Sequence, residues 1–295
     1  MAKNTFTRRD FLKAAAAAPV AGALAGRLRG AGRSPTVSRV VLVRDERALR
    51  GFKRPDPEIV STMLDQALKA LLETADAAEA WARIIRPGDV VGIKTNVMHY
   101  LPTTSEVEEV IKRKVLATGI PEKDIGIDDR GVRNHPVFKR ATALINVRPA
   151  RTHHWSGIGG CIKNYITFTP DKPRWHPDAC ADLAQIWKEF DLIGKTRLNI
   201  LLMLNPQFHS VGPHSYSDKY VWDYRGILVS RDPVAADAVG LRIIQAKRKR
   251  HFGRDVPLAT SAKHIRLAET RHGLGAADPA RIELLKLGWQ ANLLI

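Results

Sequence analysis

The 295-residue sequence predicts an α/β fold: a mainly parallel sheet with helices on both faces and a short helical C-terminal appendix. Three observations carry that expectation. Short β-branched runs alternate with segments whose apolar residues recur at helical spacing, and Gly and Pro punctuate the changes between them. A composition of 44% hydrophobic and 26% charged residues supplies apolar material for a sizeable core. Successive strands separated by helices need crossover connections, which favour parallel pairing.

Taken in order, residues 37–43 are short and valine-rich and read as a first strand. From Pro57, apolar residues at Val60, Met63, Leu64, Ala67, Leu68, Leu71 and Leu72 mark one helical face, with Pro57 suited to the first turn. Pro87-Gly88 turns the chain into a strand over 89–94, and Ser105 opens a helix carrying Val107, Val110 and Ile111 that Gly119 ends. Further strands are expected at 125–128, 143–147, 198–204 and 226–229, with helices near 179–190 and 233–246. Residues 252–295 read as a helical extension with a strand-like stretch at 282–287. The expected organisation is an export segment at 1–33, one α/β domain at 34–250 and a C-terminal extension at 251–295 packed on it.

Thr7-Arg8-Arg9-Asp10-Phe11-Leu12-Lys13 precedes an uncharged, Ala-rich run from 14 to 26, too short to cross a bilayer as an ordinary helix. Paired arginines ahead of a weak apolar run mark twin-arginine export, and Ala23-Leu24-Ala25 offers a small-residue cleavage site. The expected location is therefore periplasmic or otherwise exported, tethered to the membrane if the segment stays uncleaved. The expected partners are the twin-arginine translocation machinery, with transient membrane contact during export, and an anionic small molecule. The formal net charge of +17 would steer anions towards the protein without choosing among them. The densest basic run, Lys247-Arg248-Lys249-Arg250-His251, reads as a solvated helix end; it lies in no recognised nucleic-acid module, and no nucleic acid is expected. Two cysteines cannot staple a disulfide scaffold or supply the four thiolates of a ferredoxin-type cluster, so no iron–sulfur centre is expected.

In open parallel sheets ligands bind beyond the carboxyl ends of the strands, where loops converge. Here the strand ends lead to Thr95 and Asn96, to Asp129 and Arg130, to His153 and His154, to Asn205, His209 and His214, and to Ser230 and Asp232. The most distinctive stretch runs from Thr152 to Asn164 and contains His153-His154-Trp155-Ser156-Gly157-Ile158-Gly159-Gly160-Cys161-Ile162-Lys163. Its glycines would let backbone amides approach an anion, and a helix starting near Gly160 would add its positive end. His153 is then a candidate acid/base and Lys163 a candidate clamp or nucleophile; an exposed glycine-rich turn accounts for the same residues equally well. Lys94, Asn96, Ser156, Gly157, Gly160, Asn164 and Asp237 complete the candidate ligand-binding set, with Asp237 placed to pair with Lys94 or Lys163. Asp232-Pro233 has a structural explanation as a helix start.

Several of these pieces resemble the widespread prokaryotic family catalogued as domain of unknown function 362. They are Val91-Gly92-Ile93-Lys94-Thr95-Asn96, the stretch from Ala143 to Val147 leading to Thr152-His153-His154 and Lys163-Asn164, and Asp232-Pro233-Val234-Ala235-Ala236-Asp237. Many members of that family carry a cysteine-rich ferredoxin segment that this chain lacks, and Asn205-Pro206 stands where an acidic residue is often found. His153, Ser156, Gly157, Gly160 and Lys163 are also similar in spacing to a segment of nickel-pincer lactate racemases. That likeness implies His153 as acid/base and Lys163 as anchor of a nickel-pincer cofactor, with His135 and His176 as the nearest further histidines. A simpler metal site would use His154, His209 and His214 with Asp128 or Asp129, although His209 and His214 match no strong zinc spacing. Cys161 and Cys180 are left open between thiols and a disulfide. Two functions follow: an exported enzyme or cofactor protein in which His153 moves a proton, or a periplasmic binding protein without turnover.

Overall fold

The computed structural model describes residues 37–210 and 215–295. The export segment and His214 lie outside the described residues. Each early element forms for a local reason. In helix α1 (Pro57–Leu72), the Asp56 carboxylate accepts from the amides of Glu58 and Ile59, and Val60, Met63, Leu64, Ala67, Leu68 and Leu71 are buried along one stripe. Helix α2 (Ala77–Ile84), absent from the sequence expectation, starts at an Asp76 cap and buries only Ala80, Trp81 and Ile84, too brief a pattern to stand out. Helix α3 (Ser105–Ala117) buries Val107, Val110, Ile111 and Val115.

These helices cover one face of a mixed, mainly parallel sheet. Its strands are β1 (Ser38–Arg44), β2 (Val91–Lys94), β3 (Ile125–Asp128), β4 (Ala143–His153), β5 (Gly157–Gly159), β6 (Thr196–Gln207), β7 (Gly226–Ser230) and β8 (Ile282–Gly288). The order across the sheet is β8-β1-β7-β6-β4-β2-β3, with β5 folded back antiparallel on the end of β4. The pairs β8/β1, β6/β4, β4/β2 and β2/β3 are parallel, whereas β7 runs antiparallel to both neighbours. The other face packs on helix α4 (Cys161–Asn164), the long helix α5 (Pro233–Phe252) and helix α6 (Lys263–Thr270). Apolar cores therefore lie on both sides of the sheet, as the α/β expectation requires.

Several differences from the sequence expectation position the site. Strand β4 continues to His153 instead of ending at Val147, and its pairing with β6 shifts between Pro149 and Arg151, where proline has no N–H for the ladder. The polar stretch expected as a loop is thus partly strand. Because β7 is antiparallel, Ser230 and Asp232 emerge at the opposite edge from the other strand ends. Asp232 there caps α5, accepting from Val234 and Ala235 amides at 2.8 and 3.1 Å. The helix expected over 179–190 is broken by left-handed backbone at Asp178, Ala179 and Cys180, and only Ala184–Glu189 continues as a helix. Finally, α5 passes through the expected 250/251 boundary, and β8 extends the sheet beside β1.

Candidate functional site

Lys94, the last residue of β2, is fully buried, and its Nζ donates to Asp129 Oδ1 at 2.6 Å and to the Thr95 carbonyl at 2.7 Å. Burial lowers its pKa to about 8, against the opposing pull of Asp129. Asn164 joins the strands to one another: its Nδ2 donates to Asn146 Oδ1 at 2.8 Å and to the Val147 carbonyl at 3.1 Å, while its Oδ1 faces Lys94 and Asn96 at 3.4 Å. Asn96 Oδ1 in turn accepts from Arg151 Nη2 at 2.8 Å. Lys94, Asn96 and Asn164 therefore meet as one buried network, with Asp129, Asn146 and Arg151 as members that sequence reading had not placed in it.

Arg148 stands beside this network. It is 3% exposed, yet among the described residues its guanidinium makes no hydrogen bond, and its Nε is fully enclosed without a partner. Gly159 is tailored to it, since a Cβ there would lie 2.6 Å from Arg148 Nη2. Arg151 Nε and both amide atoms of Gln207 are also enclosed without hydrogen-bond partners. Gln207 pairs with Arg151 across β6 and β4. Burial lowers the pKa of both arginines. The signal for them was present in the sequence: Asn146, Arg148 and Arg151 interrupt the apolar residues of 143–151, where polar residues are costly without a partner.

The glycine loop does something other than expected. The first amides of α4 do face an anion, but it is the protein's own: Asp237 on α5 accepts from Cys161 N at 2.6 Å and from Ile162 N at 2.9 Å. Asp237 is therefore a cap for α4 and not a partner of Lys94 or Lys163; burial raises its pKa to about 7 against those two amides and Arg148. Gly160 is required for close approach, because a Cβ would stand 2.2 Å from Asp237 Oδ1. Gly157, at φ +72°, packs on the backbone at Thr260, and buried Ser156 gives its hydroxyl to the Ile158 carbonyl at 2.7 Å. The ligand-binding roles expected for Ser156, Gly157 and Gly160 are thus taken up by the chain itself.

His153 and Lys163 do lie on one rim, linked by Trp155. The Trp155 ring centroid is 5.9 Å from Lys163 Nζ and 6.1 Å from the His153 ring. Burial, then the Lys163 charge, pushes the His153 pKa far below the ordinary histidine range, and Trp155 N–H donates to its Nδ1 at 3.2 Å. His153 is consequently a neutral imidazole with its proton on Nε2. Lys163 is 3% exposed, contacts Cys180 Sγ at 3.8 Å and is lowered to about 8 by burial. Cys161 and Cys180 are both free thiols.

Of the expected metal ligands, His154 and His209 lie among the described residues and His214 does not. Among the described residues no three His, Cys, Asp or Glu side chains are grouped to hold an ion. His154 stacks on His153 with ring centroids 4.7 Å apart, while His209 Nδ1 faces Arg248 Nη1 at 2.9 Å. Asp129 is engaged by Lys94, and Asp128 caps the Gly131 amide. Of the further histidines suggested for a pincer-type nickel cofactor, His135 Nδ1 accepts from the Val137 amide and His176 stacks on Trp155 at 3.8 Å. The basic run at the end of α5 also needs correction. Arg248 within it is buried, not solvated, and Lys247 lies 5.3 and 5.8 Å from the Phe208 and Trp222 ring centroids.

Residues 121–242 match the family model described as Domain of unknown function (DUF362). The DUF362 match runs from just before β3 into α5. It includes Arg148, His153, Lys163, Asn164 and Asp237 and leaves Lys94 and Asn96 outside. Residues 5–25 match the model of the twin-arginine translocation pathway signal sequence. The chain therefore matches an export signal at its start, and no helix among its described residues is long and apolar enough to cross a membrane. Comparison with curated proteins and with solved structures gives no match.

Proposed function

We propose that this exported DUF362 protein binds a small anionic molecule at the rim formed by Arg148, Arg151, Lys163 and His153. The observation that carries the reading is Arg148: a buried guanidinium without a hydrogen bond is costly unless a ligand completes it. Its neighbours strengthen the case. Lys94, Arg148, Arg151 and Lys163 are buried cations, and the carboxylates of the cluster are Asp129 and Asp237, the latter with its pKa raised to about 7. The unpartnered Gln207 amide offers an NH2 donor group and a carbonyl acceptor to the same region.

The chain's own residues divide the work. Arg148 would grip the anion by a charge-assisted, two-pronged contact. His153 is poorly placed as a base, because Nε2 already carries the ring proton, Nδ1 accepts from Trp155, and burial opposes a second proton. Of the four rim residues, Lys163, with a pKa of about 8, is the one suited to proton exchange near neutral pH. Isothermal titration with phosphate, sulfate and small carboxylates tests the binding. Arg148→Met is expected to weaken the best-bound anion by about tenfold or more. Binding equal to wild type in that variant overturns the proposal.

A further inference from the structure

A cavity of about 300 Å³ is bounded by Thr152, His153, His209, Tyr220, Arg248 and Leu258, among others, and among the described residues no acidic side chain lines it. Two hydrogen bonds fix the imidazole tautomers on its wall. A guanidinium has no acceptor, so in the 2.9 Å contact between Arg248 Nη1 and His209 Nδ1 the ring nitrogen accepts. His153 Nδ1 accepts from the Trp155 amide in the same way. Each neutral ring therefore carries its proton on Nε2. Burial, followed by the Arg248 charge, holds His209 below the ordinary histidine pKa, so it too remains an N–H donor at neutral pH.

Arg248 adds positive charge to this donor wall. It is 3% exposed and donates to the carbonyls of Phe208, Val256 and Pro257, and among the described residues no carboxylate pairs with it. Imidazole N–H groups and hydroxyls beside a cation without a counter-charge favour an acceptor-rich, negatively charged guest. We propose that this cavity is a second anion subsite, taking a carboxylate-sized group through the Nε2–H of His153 and His209 and the Tyr220 hydroxyl. The inference rests on the anion-binding reading above through His153, which feels the Lys163 charge and also lines the cavity.

Acetate is the probe. Long-range proton–nitrogen spectra of the histidines should show Nε2–H tautomers at His153 and His209, and acetate should shift both Nε2 signals. Tyr220→Phe, which removes one hydroxyl, should weaken acetate about tenfold. His209→Phe should abolish the shift at His153 as well. Arg148→Met should leave the acetate response at His209 in place. An Nδ1–H tautomer at His209, no acetate shift there, or loss of that shift in Arg148→Met overturns the second subsite. If Arg148→Met binds phosphate and sulfate like wild type while acetate still moves His209, the proposed function fails and the subsite stands.

Discussion

Lys94 and Lys163 are lysines that burial makes easier to deprotonate, each with a pKa near 8 against an ordinary 10.5. Between those limits the unfolded chain holds more protons than the folded one. Stability of the ligand-free protein should therefore rise from pH 8 towards 10.5, by up to about 1.4 kcal/mol per pH unit for each lysine. Anion affinity should run the opposite way, full while the ammonium forms persist below pH 8 and falling above it. Denaturant unfolding and calorimetric titration on either side of pH 8 read the two trends, and a common direction for both would contradict the assignment. At this scale the sequence marked Lys94, Asn96, His153, Lys163 and Asn164 by residue type. It did not reveal Arg148 as the uncommitted cation, because whether a guanidinium has a partner depends on distant residues. Ser156 shows the converse: its hydroxyl looked available to a ligand, and a local turn consumes it.

Helix α4 is an element that the chain could not hold by itself. Four residues are too few to form a stable helix alone, and the helix is kept by Asp237 capping its first amides from α5. Lys163 and Asn164 owe their positions to that cap. Gly160→Ala should force the Asp237 carboxylate away from those amides and cost about 1–3 kcal/mol. Gly194→Ala is the control: nothing lies within 4 Å of a Cβ there, so its thermal midpoint should stay near wild type. Calorimetry of both variants checks the contrast. At this scale the sequence was readable where a cap and a long apolar stripe coincide, as in α1. It was misleading over 179–190, where apolar spacing suggested a helix that left-handed backbone at residues 178–180 breaks. It was also too short on β4, because the polar residues after Val147 hid a strand that pairing with β5 and β6 carries on to His153.

Over the whole molecule, one reversed strand separates the candidate rim from the opposite ends of the sheet. Parallel β2, β3, β4 and β6 bring their carboxyl ends to one rim, whereas antiparallel β7 sends Asp232 to the other edge to cap α5. The long helix then crosses the sheet face, placing Asp237 against α4 and Arg248 beside Phe208 and His209. The C-terminal strand closes the sheet on β1, and Arg44 is stacked between Tyr224 and Trp289 while donating to the Ala291 carbonyl at 2.8 Å. Export belongs to this scale too. Replacing Arg8 and Arg9 together by lysine should hold the protein in the cytoplasm while leaving the purified mature domain's anion affinity unchanged. Cell fractionation with an immunoblot reads the first result, and undiminished export of the double variant would argue against the twin-arginine route.

The amino-acid sequence alone determined the export address, the alternation of strands and helices, and the kinds of polar residue that follow the strands. Those properties are written in neighbouring residues: a cap beside its helix, an apolar period, a pair of arginines before a weak apolar run. Only the tertiary structure decided which polar groups already have partners and which, like Arg148 Nε, are enclosed without one. Asp237 meets amides 75 and 76 residues away, and Asn164 joins Lys94 across 70. Charge and hydrogen-bond compensation is a matter of distance in space. That is why Asp237 changed from candidate ligand contact to internal cap, and why Arg148 emerged as a buried guanidinium without a hydrogen bond.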